Sequence, residues 1–304
     1  MQNIFKGLGI ALITPFTKDG AVDYPALRNL LDYLLQNGSD FLCILATTGE
    51  TPTLTAEEKQ KIKDTVVEMV KGRIPILMGC GGNNTAEVVE TLKSGDFRNI
   101  DGVLSVCPYY NKPSQEGLYR HFKAISSASP LPVVLYNVPG RTGVNLQAST
   151  TLRLANDCDK IVAIKEASGN ITQVDDIIKN KPSRFDVISG DDGITYPLIT
   201  LGGKGVISVI GNALPLEFGR MVRLALQGDY NNARLIHHKF TELFKLLFVD
   251  GNPAGVKAML SLMGLIENNL RLPLVPTQLS TLEKIQNIIN ELHIKCHTQG
   301  TSMK

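Results

Sequence analysis

Eight short runs rich in Val, Ile and Leu recur along the chain, and each is nearly continuously apolar where a half-exposed strand would alternate. They are "GLGIALITPF" (7–16), "DFLCILATTG" (40–49), "IPILMGC" (74–80), "GVLSVCP" (102–108), "PVVLYNVP" (132–139), "IVAIKEAS" (161–168), "FDVISGDD" (185–192) and "GVISVIGNA" (205–213). Continuous apolarity marks a parallel strand covered on both faces. Helix-like segments lie between the runs. "YPALRNLLDYLLQNG" ends on Asn37-Gly38, and "TAEEKQKIKDTVVEMVKG" opens with Thr55 as N-cap, carries Glu58 in the capping-box position and closes on Gly72. Alternation at a spacing of about 20 to 35 residues predicts an α/β fold, a (β/α)8 TIM barrel in preference to an open sheet.

After Gly228 the pattern changes to helices only, through "NNARLIHHKFTELFKLLF", "PAGVKAMLSLMGLI" and "TQLSTLEKIQNIINELHIK". The predicted organisation is therefore a catalytic barrel over residues 1–228 and a C-terminal helical region over 229–304.

Charge narrows the choice of partners. The 304 residues hold 31 basic and 29 acidic side chains spread along the chain, a net +2 that gives no reason to expect nucleic acid or an anionic membrane. No segment approaches the ~20 consecutive apolar residues of a membrane helix. The opening "MQNIFKGLGIALITPF" has its apolar run broken by Thr14 and Pro15, so we expect no signal peptide and a cytoplasmic location. Of the 5 cysteines, Cys43, Cys80 and Cys107 sit in strand-like runs and read as buried, reduced thiols. "HIKCH" (293–297) lies in a polar tail without a second ligand cluster and reads as a fraying end, not a metal site.

Barrel enzymes act at the C-terminal ends of their strands, so polar residues there carry the functional question. The sixth run ends on Lys165 and Glu166. Alternation would put Ile161, Ala163 and Lys165 on one face, with small Ala163 leaving room for the lysine stem along the barrel axis. Burial disfavours an ammonium, and the neutral amine is the nucleophile of Schiff-base chemistry. A rim salt bridge to a carboxylate, with Glu166 as one partner at hand, explains the same lysine equally well.

The fifth run ends on Tyr136-Asn137, followed by Pro139-Gly140-Arg141. A phenol placed over an imine carbon can move its protons if hydroxyls relay them onward, and Thr47 and Tyr110 are candidates for that relay. Each reads alternatively as a packed residue with a satisfied hydroxyl. "TTGE" (47–50) offers a threonine hydroxyl and backbone N–H groups at a turn, a cradle for a small carboxylate. Arg141 could hold a second carboxylate through its guanidinium fork, or simply face solvent. "GCGGNN" (79–84) and "LGGKGV" (201–206) lack phosphate-loop spacing and read as turns. Nothing in the spacing of His, Asp and Glu indicates a metal-dependent mechanism.

The segments "ALITPF", "TTGETPTL", "PYYNKPSQEGLYRHF", "LYNVPGRTG", "IKEASGN", "SGDD" and "GVISVIGN", in this order, closely resemble the dihydrodipicolinate synthase family, across nearly the whole barrel. The resemblance implies a class I, Schiff-base pyruvate aldolase on a (β/α)8 barrel, a lyase that condenses pyruvate with L-aspartate 4-semialdehyde on the way to diaminopimelate and lysine. By motif, Lys165 would form the imine with pyruvate, a covalent intermediate with no separate cofactor. Tyr136 would donate and accept protons, and Thr47 with Tyr110 would complete the relay. Thr48 and the backbone of Ile207 would hold pyruvate, and Arg141 the semialdehyde carboxylate. Tyr110 of the family reaches into a neighbouring subunit, which implies a homo-oligomer, usually a homotetramer built as a dimer of dimers.

The same motifs mark sister lyases such as N-acetylneuraminate lyase and keto-deoxy-sugar-acid aldolases; the arginine of "PGRTG" separates them, as does the scarcity of hydroxyl-binding groups in "GDDGI" and "SVIGNA". A catalytically dead barrel would be expected to lack Lys165, Tyr136 or Thr47, and all three are present. Lysine-inhibited members carry histidines after "TTGE", whereas this chain offers Ala56 and Lys59; Asn83, Glu87 and Tyr109 match the rest of that effector pattern. A cationic Lys59 would repel the lysine ammonium, which predicts weak or absent feedback inhibition.

Overall fold

The computed structural model describes residues 3–296. The tail's His297, and everything after it, lies outside the described residues. Eight strands form one closed parallel barrel in chain order: β1 (Gly7–Ala11), β2 (Phe41–Ile44), β3 (Ile76–Gly79), β4 (Gly102–Val106), β5 (Val133–Asn137), β6 (Ile161–Glu166), β7 (Asp186–Ser189) and β8 (Gly205–Ser208). Helices α1 (Tyr24–Gln36), α2 (Ala56–Val70), α3 (Thr85–Ser94) and α4 (Gln115–Ala128) follow the first four strands. A short α5 (Pro139–Thr142) precedes α6 (Ala148–Asp157), and α7 (Ile171–Asn180), α8 (Thr195–Thr200) and α9 (Pro215–Leu226) complete the ring. Beyond it come α10 (Tyr230–Val249), α11 (Ala254–Leu262) and α12 (Leu279–Glu291). Every one of the eight apolar runs contains its strand. Among the described residues no helix is long and apolar enough to cross a membrane.

Local chemistry sets the helix ends as expected. Thr55 Oγ1 accepts from Glu58 N, and Glu58 returns the bond by accepting from Thr55 N, a closed capping box at the start of α2. Lys71 and Gly72 then leave the helix with φ of 51° and 71°, the left-handed exit that a glycine makes cheap.

Strand residues sort by turns into two layers. Leu8, Leu42, Val133, Leu135, Ile164 and Val206 face the helices, while Ala11, Phe41, Cys43, Leu104, Val134, Ile188 and Ile207 fill the barrel. The N-terminal end of the barrel is plugged by Phe5 and Phe41, whose rings meet edge to face at 5.5 Å. The plug depends on Gly9: a Cβ there would lie 2.1 Å from the Phe41 ring. Small and polar side chains follow toward the other end, which is where the lysine emerges.

One sequence expectation fails on β6. Val133 pairs with Ile161, but Val134 pairs with Ala163, so Val162 is an extra residue in the ladder. Val162 and Ala163 both pack inside the barrel, and Ile161 joins Ile164 beneath the helices. Ile161 therefore does not share a face with Ala163 and Lys165. Simple alternation from an outward Ile161 would turn Lys165 outward; the bulge restores its inward direction.

The three C-terminal helices do not build a separate core. Phe240, Leu243, Phe244, Val256, Met259 and Ile285 belong to the same apolar cluster as Leu8, Ile10, Leu27 and Phe218. The cysteine reading needs one adjustment, since only Cys43 lies within a strand, while Cys80 and Cys107 fall just past β3 and β4. All three thiols are buried and free.

Candidate active site at the C-terminal ends of the strands

Strand β6 delivers Lys165 to the open end of the barrel, and its register partner on β5 is Tyr136. Only 5% of each residue is exposed. Lys165 Nζ lies 4.2 Å from the centroid of the Tyr136 ring. Among the described residues no carboxylate pairs with this amine. The rim salt bridge is thus not formed, and Glu166 accounts for itself elsewhere. On the outer face, fully buried, its carboxylate accepts from the Asn137 and Gln173 amides and from the Ser168 N–H.

The walls around the lysine are tight and apolar. Cys43 lies inside the barrel where the Lys165 charge reaches it; burial nevertheless pushes its thiol up to about 11, so it stays protonated. Gly190 closes the other side: a Cβ there would sit 3.0 Å from Lys165 Cε and 2.7 Å from Ala167 Cβ. Nothing in the sequence singled out Gly190 within "SGDD", and only the packed lysine stem reveals its role.

A cavity of about 540 Å3 opens above, walled by Thr47, Tyr136, Val138 and Arg141 together with Asn252 and Leu274 from the C-terminal region. The structure thus brings Thr47, Tyr136 and Arg141 together. Lys165 lies beneath the Tyr136 ring and does not itself line this cavity, and neither do Thr48 or Ile207. Ile207, 1% exposed, sits in the barrel interior, and Thr48 Oγ1 accepts from the Asn252 amide at 3.0 Å. Tyr110 is not brought to the relay within this chain: 90% exposed, with φ of 71°, it projects outward from the loop after β4.

The "TTGE" turn is narrower as a cradle than its sequence suggested. Gly49 and Glu50 spend their N–H groups on the carbonyls of Ala46 and Thr47, leaving Thr47 and Thr48 as the donors. Glu50 holds the turn in place from a left-handed conformation, φ of 53°, which a non-glycine residue adopts only when something fixes it. Lys257 Nζ donates to Glu50 Oε1 and the Arg271 N–H to Glu50 Oε2, while the Arg271 guanidinium forks onto Glu58 at the head of α2. Burial pulls the Lys257 ammonium down to about 8, with Glu50 pulling it back. A lysine inside the apolar "PAGVKAMLSLMGLI" was the available signal, of the same kind that singled out Lys165.

Asp192, from "SGDD", is buried behind β8 and braces the chain that follows it. Its Oδ2 accepts from Val209 N and Ile210 N, fixing the chain just after Ile207, while Oδ1 is buried without a partner among the described residues. Burial pushes this carboxyl up to about 6. These bonds tie the "GDDGI" segment to the "SVIGNA" segment.

Two of the five effector-pattern residues reach the cavity. Lys59 and Tyr109 line it, and Asn83 Nδ2 donates to Tyr109 O at 3.2 Å. Glu87 is occupied by the Asn84 amide, and Ala56 is exposed on the first turn of α2, off the cavity.

A closed parallel barrel with a buried, carboxylate-free lysine at the end of β6, beneath a tyrosine of β5, defines the class: a barrel lyase of the pyruvate aldolase type. The model of the dihydrodipicolinate synthetase family matches residues 4–292, and the chain belongs to that family. It is 71% identical over 296 residues to the 4-hydroxy-tetrahydrodipicolinate synthase of Phocaeicola vulgatus, an alignment covering 97% of this chain and 100% of the relative. Among solved structures, the dihydrodipicolinate synthase of Thermotoga maritima superposes with a TM-score of 0.93 at 43% identity, over 96% of this chain and 100% of the other. The chloride-inhibited synthase of Acinetobacter baumannii, crystallised with pyruvate, gives 0.92 at 39% identity, over 96% and 100%.

Proposed function

We propose that Lys165 forms an imine with pyruvate and that the chain thereby condenses pyruvate with L-aspartate 4-semialdehyde, the activity for which its relatives are named. The lysine amine attacks the pyruvate keto carbon, and the carbinolamine loses water to give the imine. Loss of a methyl proton makes the enamine, whose carbon attacks the aldehyde. The amino group of the semialdehyde then adds to the imine carbon, closing the ring of 4-hydroxy-tetrahydrodipicolinate and freeing Lys165.

Tyr136 carries the protons of these steps, with Thr47 beside it on the cavity wall. Tyr110 serves the relay of a neighbouring subunit, which suits its exposed position and makes the enzyme a homo-oligomer, a tetramer by the family pattern. Thr48 and the Ile207 backbone hold pyruvate, and Arg141 takes the semialdehyde carboxylate. No cofactor beyond the covalent imine is needed, and the enzyme works in the cytoplasm, in lysine biosynthesis.

The observation that carries this reading is the Lys165 amine, buried, paired with no carboxylate among the described residues and 4.2 Å from the Tyr136 ring centre. Borohydride reduction in the presence of pyruvate, followed by peptide mapping, tests it: an adduct on Lys165 is expected, and its absence overturns the mechanism. Turnover of N-acetylneuraminate in place of the semialdehyde would favour a sister lyase instead.

A further inference from the structure

Asn252 stands in the segment between α10 and α11, and 204 residues of chain separate it from Thr48. It is 7% exposed and lines the cavity that Thr47, Tyr136 and Arg141 also line. Its Nδ2 donates to Thr48 Oγ1 at 3.0 Å, while its Oδ1 is buried with no hydrogen-bond partner among the described residues. Buried amides in native proteins are nearly always satisfied on both ends. Among the described residues, the one hydrogen bond the Asn252 side chain makes in the wall of the active site is to Thr48.

That bond has a directional consequence. A threonine hydroxyl has one proton to give and two lone pairs to offer. When an amide N–H occupies a lone pair, the proton remains available, and it points to whatever acceptor enters the site. An aspartate at the same place would do the reverse, taking the Thr48 proton and setting a negative charge beside an anionic substrate.

We infer that Asn252 is a positioning residue: by donating to Thr48 Oγ1 it commits the Thr48 hydroxyl to donate to the pyruvate carboxylate. This rests on the assignment of Thr48 to that carboxylate. Asn252 acts through Thr48 without entering the chemistry, so its removal weakens pyruvate binding and leaves the turnover step intact.

Steady-state kinetics of the full chain with pyruvate and L-aspartate 4-semialdehyde separate the possibilities. For Asn252→Ala we expect the pyruvate KM to rise about five- to tenfold with kcat within about twofold, the mark of lost uniform binding. Asn252→Asp, the same size and shape, should raise it further, and carries the reading alone if the alanine variant does not fold. Thr48→Val should raise KM in the same way, and Thr48→Val/Asn252→Ala should be no worse than Thr48→Val by more than about twofold, since the second change has no hydroxyl left to orient. Multiplicative effects in the double variant, or an Asn252→Asp pyruvate KM equal to that of the wild type, would overturn the inference. Borohydride trapping on the wild type keeps the two readings apart: no Lys165 adduct there condemns the imine mechanism, whereas an adduct with an unchanged variant KM condemns only the role given to Asn252.

Discussion

Lys257 Nζ meets Glu50 Oε1 at 2.5 Å, and both side chains are fully withdrawn from solvent. The pair joins a C-terminal helix to the turn that follows β2, so the residues beyond the barrel hold one edge of the active site. The Lys257 ammonium also lies 4.2 Å from the Phe16 ring centre and donates to the Asn269 carbonyl, so protein groups on three sides hold the charge.

Removing one partner of such a pair strands a charge in a dry place. Lys257→Met should cost about 3–5 kcal/mol of unfolding free energy, with Glu50→Gln/Lys257→Met recovering a substantial part of it. Urea denaturation of the three proteins measures this. A Lys257→Met cost below about 1 kcal/mol would mean that the pair is not desolvated as described.

Asp192 makes stability depend on pH in an identifiable window. Its buried carboxyl titrates at about 6 in the native state against an ordinary 3.8, so between those values the native protein holds a proton that the unfolded chain has lost. Stability from this group is therefore full below the lower value and falls as pH rises through the window, by about 3 kcal/mol in all. Asp192→Asn retains an oxygen for the Val209 and Ile210 N–H groups and should remove that slope. The readout is the difference in unfolding free energy between the two proteins across that window, and a constant difference would contradict the raised carboxyl.

Gly190 limits what the lysine can do. The added methyl of Gly190→Ala would reach 3.0 Å from Lys165 Cε, forcing the stem off its line toward the cavity. A misplaced nucleophile costs rate steeply, so kcat/KM for pyruvate should drop at least about tenfold. The yield of the borohydride adduct at limiting pyruvate should fall with it; an unchanged yield would place the glycine outside the site's working parts.

Feedback by L-lysine should be weak or absent, because Lys59 on the cavity wall presents a cation where the effector brings its own. Inhibition titrations with lysine check this directly, and a micromolar inhibition constant would refute it. Lys59→His is the informative variant: a gain of sensitivity is expected.

Much of the barrel is legible in one dimension because its determinants are local. Buried parallel strands are apolar on both faces, and helix ends carry their own hydrogen-bonding residues, as Thr55 with Glu58 shows. Tyr136 and Lys165 could be singled out for the same reason, since a polar group ending such a strand faces the catalytic end of any barrel. Ile161 was misplaced because a bulge leaves no mark in the pattern of apolar residues: Val162 is as apolar as its neighbours, and only pairing with β5 reveals that it is extra.

The sequence by itself determined the element order, the strand ends at or just after which Thr47, Tyr136, Arg141 and Lys165 stand, and the likeness of its motifs to one family. The tertiary structure decided which partners those residues keep. It denied Lys165 a carboxylate, gave Glu166 to Asn137, and seated Glu50 on Lys257 and Thr48 on Asn252, pairs more than 200 residues apart. Local periodicity reports which face of an element is dry. Whether a buried polar group is satisfied depends on what the chain brings back to it from far away, and that is settled only when the barrel closes.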